Sequence, residues 1–545
     1  MSAARPPVIW SVAGVDTAGG AGLSADQRAA DALGVHLCPV VACLTAQHSL
    51  GVVAVSPVDA DWIDRQCDAL AHDLPPTVIK TGLLGSVAAI DTVARWVDRL
   101  REGRRDGLPA LVIDPVLGAS AGGAAFSDEA IVQAYRTRLL PRATVITPNR
   151  HEAARLLGED AGAVHRHAVP ALATALQALG PGTVLITGGD ARDTPLEHSH
   201  SQDWLLSPQA RGWLVAPRVD TVDHHGTGCT LASALAAALA MGHGPADAVV
   251  LGRMVVHHAL MHARPAGQGR GLVHAQPGAT RGPQWGGAPL PWLGLDEDLP
   301  WRLAAPGVTA GDATFPAFVP PQDRLYGIVA DAEQLQNAVA AGLRCVQLRH
   351  KARDGAQTQI HRSLAVAARA GITVFINDHW QAVLDAPWPT DACTDARRGL
   401  HLGQEDLLAL TPSERTRLRA RRHDTLLGLS SHSLWELARA LGCGPSYVAC
   451  GPVQATTTKD MPWRPQGVDN LRWWVAHSDV PVVAIGGLLE PADLRRFAAC
   501  GPGALCVVRG LGTSAVDMRL RLPELREATQ GWIPPQAAGL PHPVQ

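Results

Sequence analysis

Short apolar runs alternate with helix-length stretches along the whole chain. In the first 265 residues the runs fall at 7–12, 38–43, 52–55, 77–80, 111–114, 144–147 and 184–187. They are rich in β-branched residues and bounded by Gly, Pro and polar clusters, which predicts buried strands. Helical segments such as 24–33 and 91–101 lie between several of them. That rhythm predicts a largely parallel α/β sheet covered on both faces.

The last 225 residues are more regular. Eight strand-like runs occur at 325–330, 345–349, 373–376, 399–402, 426–429, 447–449, 482–485 and 504–508. Helical patterns connect most of them, which predicts a (β/α)8 TIM barrel. Polar groups crowd just after the runs, where such a barrel gathers its active site on one rim. A few could be loop chemistry alone; filling seven of eight strand ends argues for a site.

Composition sharpens the division. Residues 265–321 hold ten Pro and ten Gly, about twice the chain average, and predict a connector. Trp285, Trp292 and Trp301 lie inside it and should rest against the packed units. The expected organisation is a first unit over 1–264, a linker over 265–321 and a second unit over 322–545. With 545 residues, 46% hydrophobic and 18% charged, the chain fits a globular protein with several cores. A net charge of −3 excludes a strongly basic nucleic-acid binder. No apolar run is long enough for a membrane span, and the N-terminus lacks a signal-peptide pattern. Ten cysteines without a C-x-x-C pair read as reduced thiols, so a cytoplasmic protein is expected. Only three of the 47 basic residues are lysines: Lys80, Lys351 and Lys459. Each is a candidate position where a rigid guanidinium would not fit, with chance placement as the alternative.

In the first unit, Gly226-Thr227-Gly228-Cys229 opens an Ala/Leu helix. Gly226 and Gly228 allow close backbone approach, and a helix start offers free amides to a phosphoryl group. The Cys229 thiol is expected to have a lowered pKa and to act as a base on a substrate hydroxyl. A helix cap with a small buried Cys is the competing structural explanation. Asn149 and Glu152, three apart after a strand, can face one magnesium–phosphate assembly. A further glycine cluster, Gly19 to Gly22, follows Asp16 and is equally well explained as a tight turn.

These segments resemble the hydroxymethylpyrimidine kinase/phosphomethylpyrimidine kinase family, which has a ribokinase-like α/β sandwich fold. The resemblance covers about residues 8–275 and rests on AGVDTAGGAG at 13–22, KTGL at 80–83, ITPN at 146–149 and HGTGCT at 225–230. It implies ATP as co-substrate and pyrimidine contact by Gln47 with Asp26 nearby; the oligomeric state is left open, a homodimer through this unit being one option. A Gln amide can pair with both the ring acceptor and the amino donor of an aminopyrimidine. Where the family carries Lys before the Gly-Gly pair, this chain has Thr187.

In the second unit Gln347, Arg349 and Lys351 end one strand and Asn377-Asp378 another, with Asp406 shortly after a third. Two carboxylates at neighbouring strand ends suit one Mg2+ that takes its remaining oxygens from a diphosphate and water. Thr456, Thr457, Thr458 and Lys459 offer hydroxyls and an ammonium, and the Gly486-Gly487 turn offers amides. Over about 324–525 these motifs resemble thiamine phosphate synthase. The resemblance implies that Asp378 and Asp406 hold Mg2+, and that Gln347, Arg349, Lys351, Asn377, Ser430 and Lys459 contact the pyrimidine diphosphate. It further implies that Thr456, Thr457, Thr458, Gly487 and the Val508-Arg509 step hold the thiazole phosphate. Arg509 stands where the family often has Ser.

The expected function is bifunctional. The first unit would phosphorylate hydroxymethylpyrimidine twice, and the second would join the diphosphate to thiazole phosphate, giving thiamine phosphate and pyrophosphate. The partners are small molecules, with no nucleic acid and no membrane. The alternatives are a first unit that acts on pyridoxal, or one that senses its ligand without turnover.

Overall fold

The computed structural model describes residues 5–118, 128–159, 164–303, 313–456 and 463–544. The chain forms two compact units, Met1–Leu299 and Pro300–Gln545. In the first, ten strands among the described residues build one sheet. They are β1 (Val8–Val15), β2 (His36–His48), β3 (Gly51–Pro57), β4 (Val78–Thr81), β5 (Ala110–Ile113), β6 (Val145–Ile146), β7 (Thr183–Ile186), β8 (His200–Leu206), β9 (Arg211–Pro217) and β10 (Trp292–Leu293). Their spatial order is β10-β9-β8-β7-β6-β5-β4-β1-β2-β3. The strands from β2 across to β7 are parallel, and both flanks are antiparallel. The chain leaves β1 to one side for β2 and later returns on the other side as β4. That reversal opens a crevice at the strands' carboxyl ends.

The first seven strands lie where the apolar runs predict them. β8, β9 and β10 do not appear in the sequence pattern. Strand β8 hides Gln202 and Asp203, which break any apolar run. Asp203 is tolerable inside because it accepts from the Gly188 amide at 2.9 Å and pairs with Arg253 at 2.7 Å. The Pro/Gly-rich stretch read as a connector is divided between the units. Trp292 and Leu293 pair with Val215 and Leu214 as the sheet's last strand. Leu272 bridges both Arg264 and His225. Farther on, Phe318 joins the second unit's core, with its ring 5.7 Å from Phe375 and 5.3 Å from Tyr447. Sequence breakers end helices, but they do not prevent extended segments from packing.

The second unit is a closed parallel barrel of β11 (Leu325–Val329), β12 (Cys345–Leu348), β13 (Thr373–Asn377), β14 (Arg397–Leu402), β15 (Leu426–Ser431), β16 (Tyr447–Cys450), β17 (Val482–Ala484) and β18 (Ala504–Val507). Each matches a predicted run to within two residues. Strand alternation decides what fills the interior. Tyr326, Ile328, Cys345, Phe375, Leu426, Tyr447, Ala449, Val483, Ala504 and Cys506 form its core. Gly399 and Gly428 make room: a Cβ on them would lie 2.4 Å from the Phe375 ring and 2.2 Å from the Tyr447 ring. The next inward positions toward the carboxyl ends are Gln347, Asn377, His401 and Ser430.

Candidate active sites

The first unit holds a cavity of about 640 Å3 at the carboxyl ends of its parallel strands. This is the size range of small-molecule sites. Gln47, Asp114, Asn149, Glu152, Gly226, Gly228 and Cys229 all line it. Gly226 caps the helix Thr227–Ala240 at φ +91°, and a Cβ there would sit 2.1 Å from the Gly20 carbonyl oxygen. Only glycine fits this turn. The first-turn amides of that helix have no intrahelical acceptor, so this end of the cavity attracts anions.

Asn149 and Glu152 form a reciprocal cap: each accepts the other's backbone amide at 2.9 Å. Glu152 lines the cavity with its carboxyl held by the Asn149 amide and by a further backbone bond from Leu117. Burial, with the nearby Asp114 adding to it, pushes Glu152 up to about 8. Burial likewise raises Asp114 to about 6, with Lys80 opposing and Asp26 reinforcing. Asp114 was not among the residues anticipated from sequence. The signal was present, since it is a carboxylate at the end of an apolar strand, the same cue that marked the barrel rim.

Two expectations are corrected. Asp26 does not line the cavity. It is fully buried behind it, bound by Lys80 Nζ at 2.8 and 2.9 Å, Ser11 Oγ at 2.6 Å and Ser233 Oγ at 2.7 Å. The Lys80 charge survives in the interior because burial is outweighed by Asp26, which holds its pKa above the usual range. The second correction concerns Cys229. Its thiol is not acidified. Burial pushes it up to about 12, with Lys80 opposing and Asp26 and Asp114 reinforcing. A neighbourhood of carboxylates and a dry wall outweigh the helix end.

The Gly19–Gly22 turn is braced by Asp16, and Asp16, Ala21 and Gly22 also line the cavity. Asp16 accepts from the amides of Ala18, Gly20 and Ala21 at 2.8, 3.0 and 2.8 Å. Burial acts to raise Asp16, but the bond from His225 Nε2 and the amides of Ala21 and Ala18 hold it below the usual range. The same ring nitrogen lies 3.0 Å from Asp16 Oδ2 and 3.2 Å from Gln47 Nε2. One nitrogen cannot donate and accept at once, so with its proton on Asp16 the ring offers nothing to the Gln47 amide. Thr187 lines the cavity together with Arg150, Arg192 and Arg218. Arg150 is engaged by Asp193 and Glu197, and Arg218 by three backbone carbonyls. Arg192 is exposed and donates to the carbonyls of Gly189 and Ala191.

At the barrel's carboxyl ends, Gln347 and Asn377 are buried, Arg349 and Ser430 half-buried, and Lys351 exposed. Asn377 Nδ2 donates to the His401 carbonyl at 3.1 Å. Asp378 is exposed at φ +69°, a conformation Asp adopts more readily than most residues. Asp406 spends Oδ2 on the Gly403 amide at 2.9 Å. Gly486 and Gly487, at φ +94° and +81°, are laced to the loop before Thr456. Gln454 N donates to the Gly486 carbonyl at 3.1 Å and Gln454 Nε2 to that of Gly487 at 3.3 Å. Val508 packs on the barrel core. Arg509 lines a recess of about 340 Å3 with Leu489, Glu490 and Arg521. Thr457, Thr458 and Lys459 lie outside the described residues.

Fold and cavities together define an α/β small-molecule kinase joined to a TIM-barrel transferase. A phosphomethylpyrimidine kinase family model matches residues 16–274, and a thiamine monophosphate synthase model matches 319–511. The chain belongs to the bifunctional thiamine biosynthetic enzymes: its first unit is a hydroxymethylpyrimidine/phosphomethylpyrimidine kinase domain and its second a thiamine monophosphate synthase domain. It is 31% identical over 512 residues to a probable chloroplastic thiamine biosynthetic bifunctional enzyme of Oryza sativa subsp. japonica, covering 89% of this chain and 82% of that one. It is 38% identical to a hydroxymethylpyrimidine/phosphomethylpyrimidine kinase of Synechococcus elongatus, over 50% of this chain and 98% of the relative. Among solved structures, an ADP complex of Bacillus subtilis pyridoxal kinase is similar at TM-score 0.44 and 27% identity, over 50% of this chain and 98% of that one. No helix among the described residues is long and apolar enough to cross a membrane.

Proposed function

We propose that the kinase cavity binds the aminopyrimidine through Gln47 and transfers phosphoryl groups from ATP at the Gly226–Gly228 helix start. The observation that carries this reading is the shared cavity: an amide-rich helix end, Gln47 and the carboxyls of Asp114 and Glu152 face one space. Asp114 and Glu152 fit a divalent cation, because burial raises both, Asp114 adds to the rise at Glu152, and a positive charge beside them would relieve both. Mg2+ bound there would supply charge neutralisation for the transferring phosphate. Cys229 lines the transfer point as a neutral thiol. Arg192 is the candidate cation for the nucleotide phosphates in place of the lysine that Thr187 replaces.

In the barrel, Asp378 and Asp406 would hold Mg2+. No three His, Cys, Asp or Glu converge among the described residues, so a diphosphate and water would complete the shell. Gln347, Arg349, Lys351, Asn377, Ser430 and Lys459 would hold the pyrimidine diphosphate. Thr456, Thr457, Thr458, Gly487, Val508 and Arg509 would hold the thiazole phosphate. The C–O bond to the pyrimidine CH2 breaks, diphosphate leaves, and the thiazole nitrogen forms the new C–N bond. Exposed Leu44, Leu50 and Val53 on the β2–β3 edge support a homodimer through the kinase unit. Ten unpaired thiols support a reducing compartment such as the cytoplasm. The test supplies ATP, Mg2+, hydroxymethylpyrimidine and thiazole phosphate to the full chain. Thiamine phosphate should form only with all four, and pyridoxal should not replace the pyrimidine in ATP consumption. Pyridoxal turnover at an equal rate would overturn the substrate assignment.

A further inference from the structure

A chain of hydrogen bonds crosses the barrel interior and ends at its mouth. Gln347 Nε2 donates to the Tyr326 hydroxyl at 3.1 Å, and the Tyr326 and Tyr447 hydroxyls are 2.8 Å apart. Tyr447 lies 2.7 Å from His401 Nδ1, and His401 Nε2 lies 2.9 Å from Ser430 Oγ. Four strands besides β11 contribute: β12, β16, β14 and β15. All members are buried except Ser430, which is half-buried. Phe375 packs against both phenols without offering a polar atom. Gly428 is required here, since a Cβ would stand 2.5 Å from the Tyr447 hydroxyl. Burial, with Arg349 and His432 adding to it, lowers His401 to about 3, so the imidazole is neutral.

Proton counting then fixes a direction. Each phenol has one proton, and a neutral imidazole has one. Once Gln347 donates to Tyr326, the Tyr326 proton goes to Tyr447 and the Tyr447 proton to His401 Nδ1. The imidazole proton is left on Nε2 and goes to Ser430 Oγ. The Ser430 hydroxyl proton is thereby free to point outward. Turning the Gln347 amide over would reverse every bond and commit the Ser430 proton inward.

We propose that Tyr326, Tyr447 and His401 are positioning residues for the synthase reaction: with Gln347 they form a one-way relay that makes Ser430 a hydrogen-bond donor at the barrel mouth. The inference rests on the proposed contact between Ser430 and the pyrimidine diphosphate. A fixed donor there stabilises the charge that grows on the departing diphosphate, so the relay acts on kcat more than on KM.

The full chain labelled with 15N-histidine tests the direction in two-bond proton–nitrogen spectra. His401 is identified by its loss in His401→Gln. A proton on Nε2 with a bare Nδ1 is expected; a proton on Nδ1 overturns the relay. In steady state, Tyr447→Phe should lower synthase kcat about tenfold, the worth of one hydrogen bond, with KM for the pyrimidine diphosphate within about twofold. His401→Gln keeps an amide nitrogen near the Nε2 position and should lose about threefold. His401→Asn does not reach Ser430 and should lose about tenfold or more. Equal losses in the Gln and Asn variants, or full kcat in Tyr447→Phe, overturn the proposal. Ser430→Ala at full rate would instead remove the substrate contact on which it rests, whatever the tautomer.

Discussion

The two phosphate sites are built from different materials. In the kinase unit the proposed anion site is a helix start whose left-handed turn only glycine fits, with the carboxyls of Asp114 and Glu152 in the same cavity. In the barrel the proposed anion site uses side chains set on alternate positions of parallel strands, beneath which lies a neutral hydrogen-bonded interior. The first site therefore depends on chain geometry and on keeping charge balanced inside the wall. The second depends on side-chain identity at a few inward positions. Substitutions should separate the two, with each unit's activity serving as the control for the other.

The sharpest break is predicted behind the kinase wall. Asp26→Asn leaves the Lys80 ammonium buried without its counter-ion. It should destabilise the first unit by about 3–5 kcal/mol, read by calorimetric unfolding, with the barrel transition unmoved. Gly226→Ala should come next. The left-handed turn and the Gly20 oxygen leave no space for the methyl, so kinase kcat should fall on the order of a hundredfold, while synthase turnover of supplied pyrimidine diphosphate stays intact. Asp378→Asn makes the converse cut. Asn tolerates the positive φ but lacks the charge, so synthase activity should fall about thirtyfold with a higher Mg2+ requirement, and kinase activity should not change.

The smallest effect is a pH dependence. Asp114 and Glu152 have pKa values raised in the fold, so the folded state binds protons more tightly than the unfolded chain. Stability of the ligand-free first unit should then fall as pH rises through 6 to 8. Solvent reaches the half-buried Glu152, so its share is on the order of 1 kcal/mol. Glu152→Gln should flatten that slope in denaturant titrations. A slope unchanged by the substitution would mean that the carboxyl is already ionised.

The barrel was more legible than the sheet for a physical reason. Strands buried on both faces read as short apolar runs, and all eight did. In the sheet, β8 carries Gln202 and Asp203 inside, and their partners come from distant segments. Asp26 shows the same limit. The family resemblance placed it near the pyrimidine, yet Lys80, Ser11 and Ser233 surround it. Local context gave Cys229 a helix end; the three-dimensional surroundings gave it carboxylate neighbours and a raised pKa.

Sequence alone determined the two-part architecture, the strand ends that bear polar groups, and the families whose motifs they match, because these depend on periodicity and on residues adjacent in the chain. The tertiary structure alone decided that Asp26 is the counter-ion of Lys80, and in which direction burial and neighbours shift Asp114, Glu152 and the Cys229 thiol. Those properties depend on desolvation and on partners up to two hundred residues away, as Asp26 and Ser233 illustrate, and no local pattern encodes them.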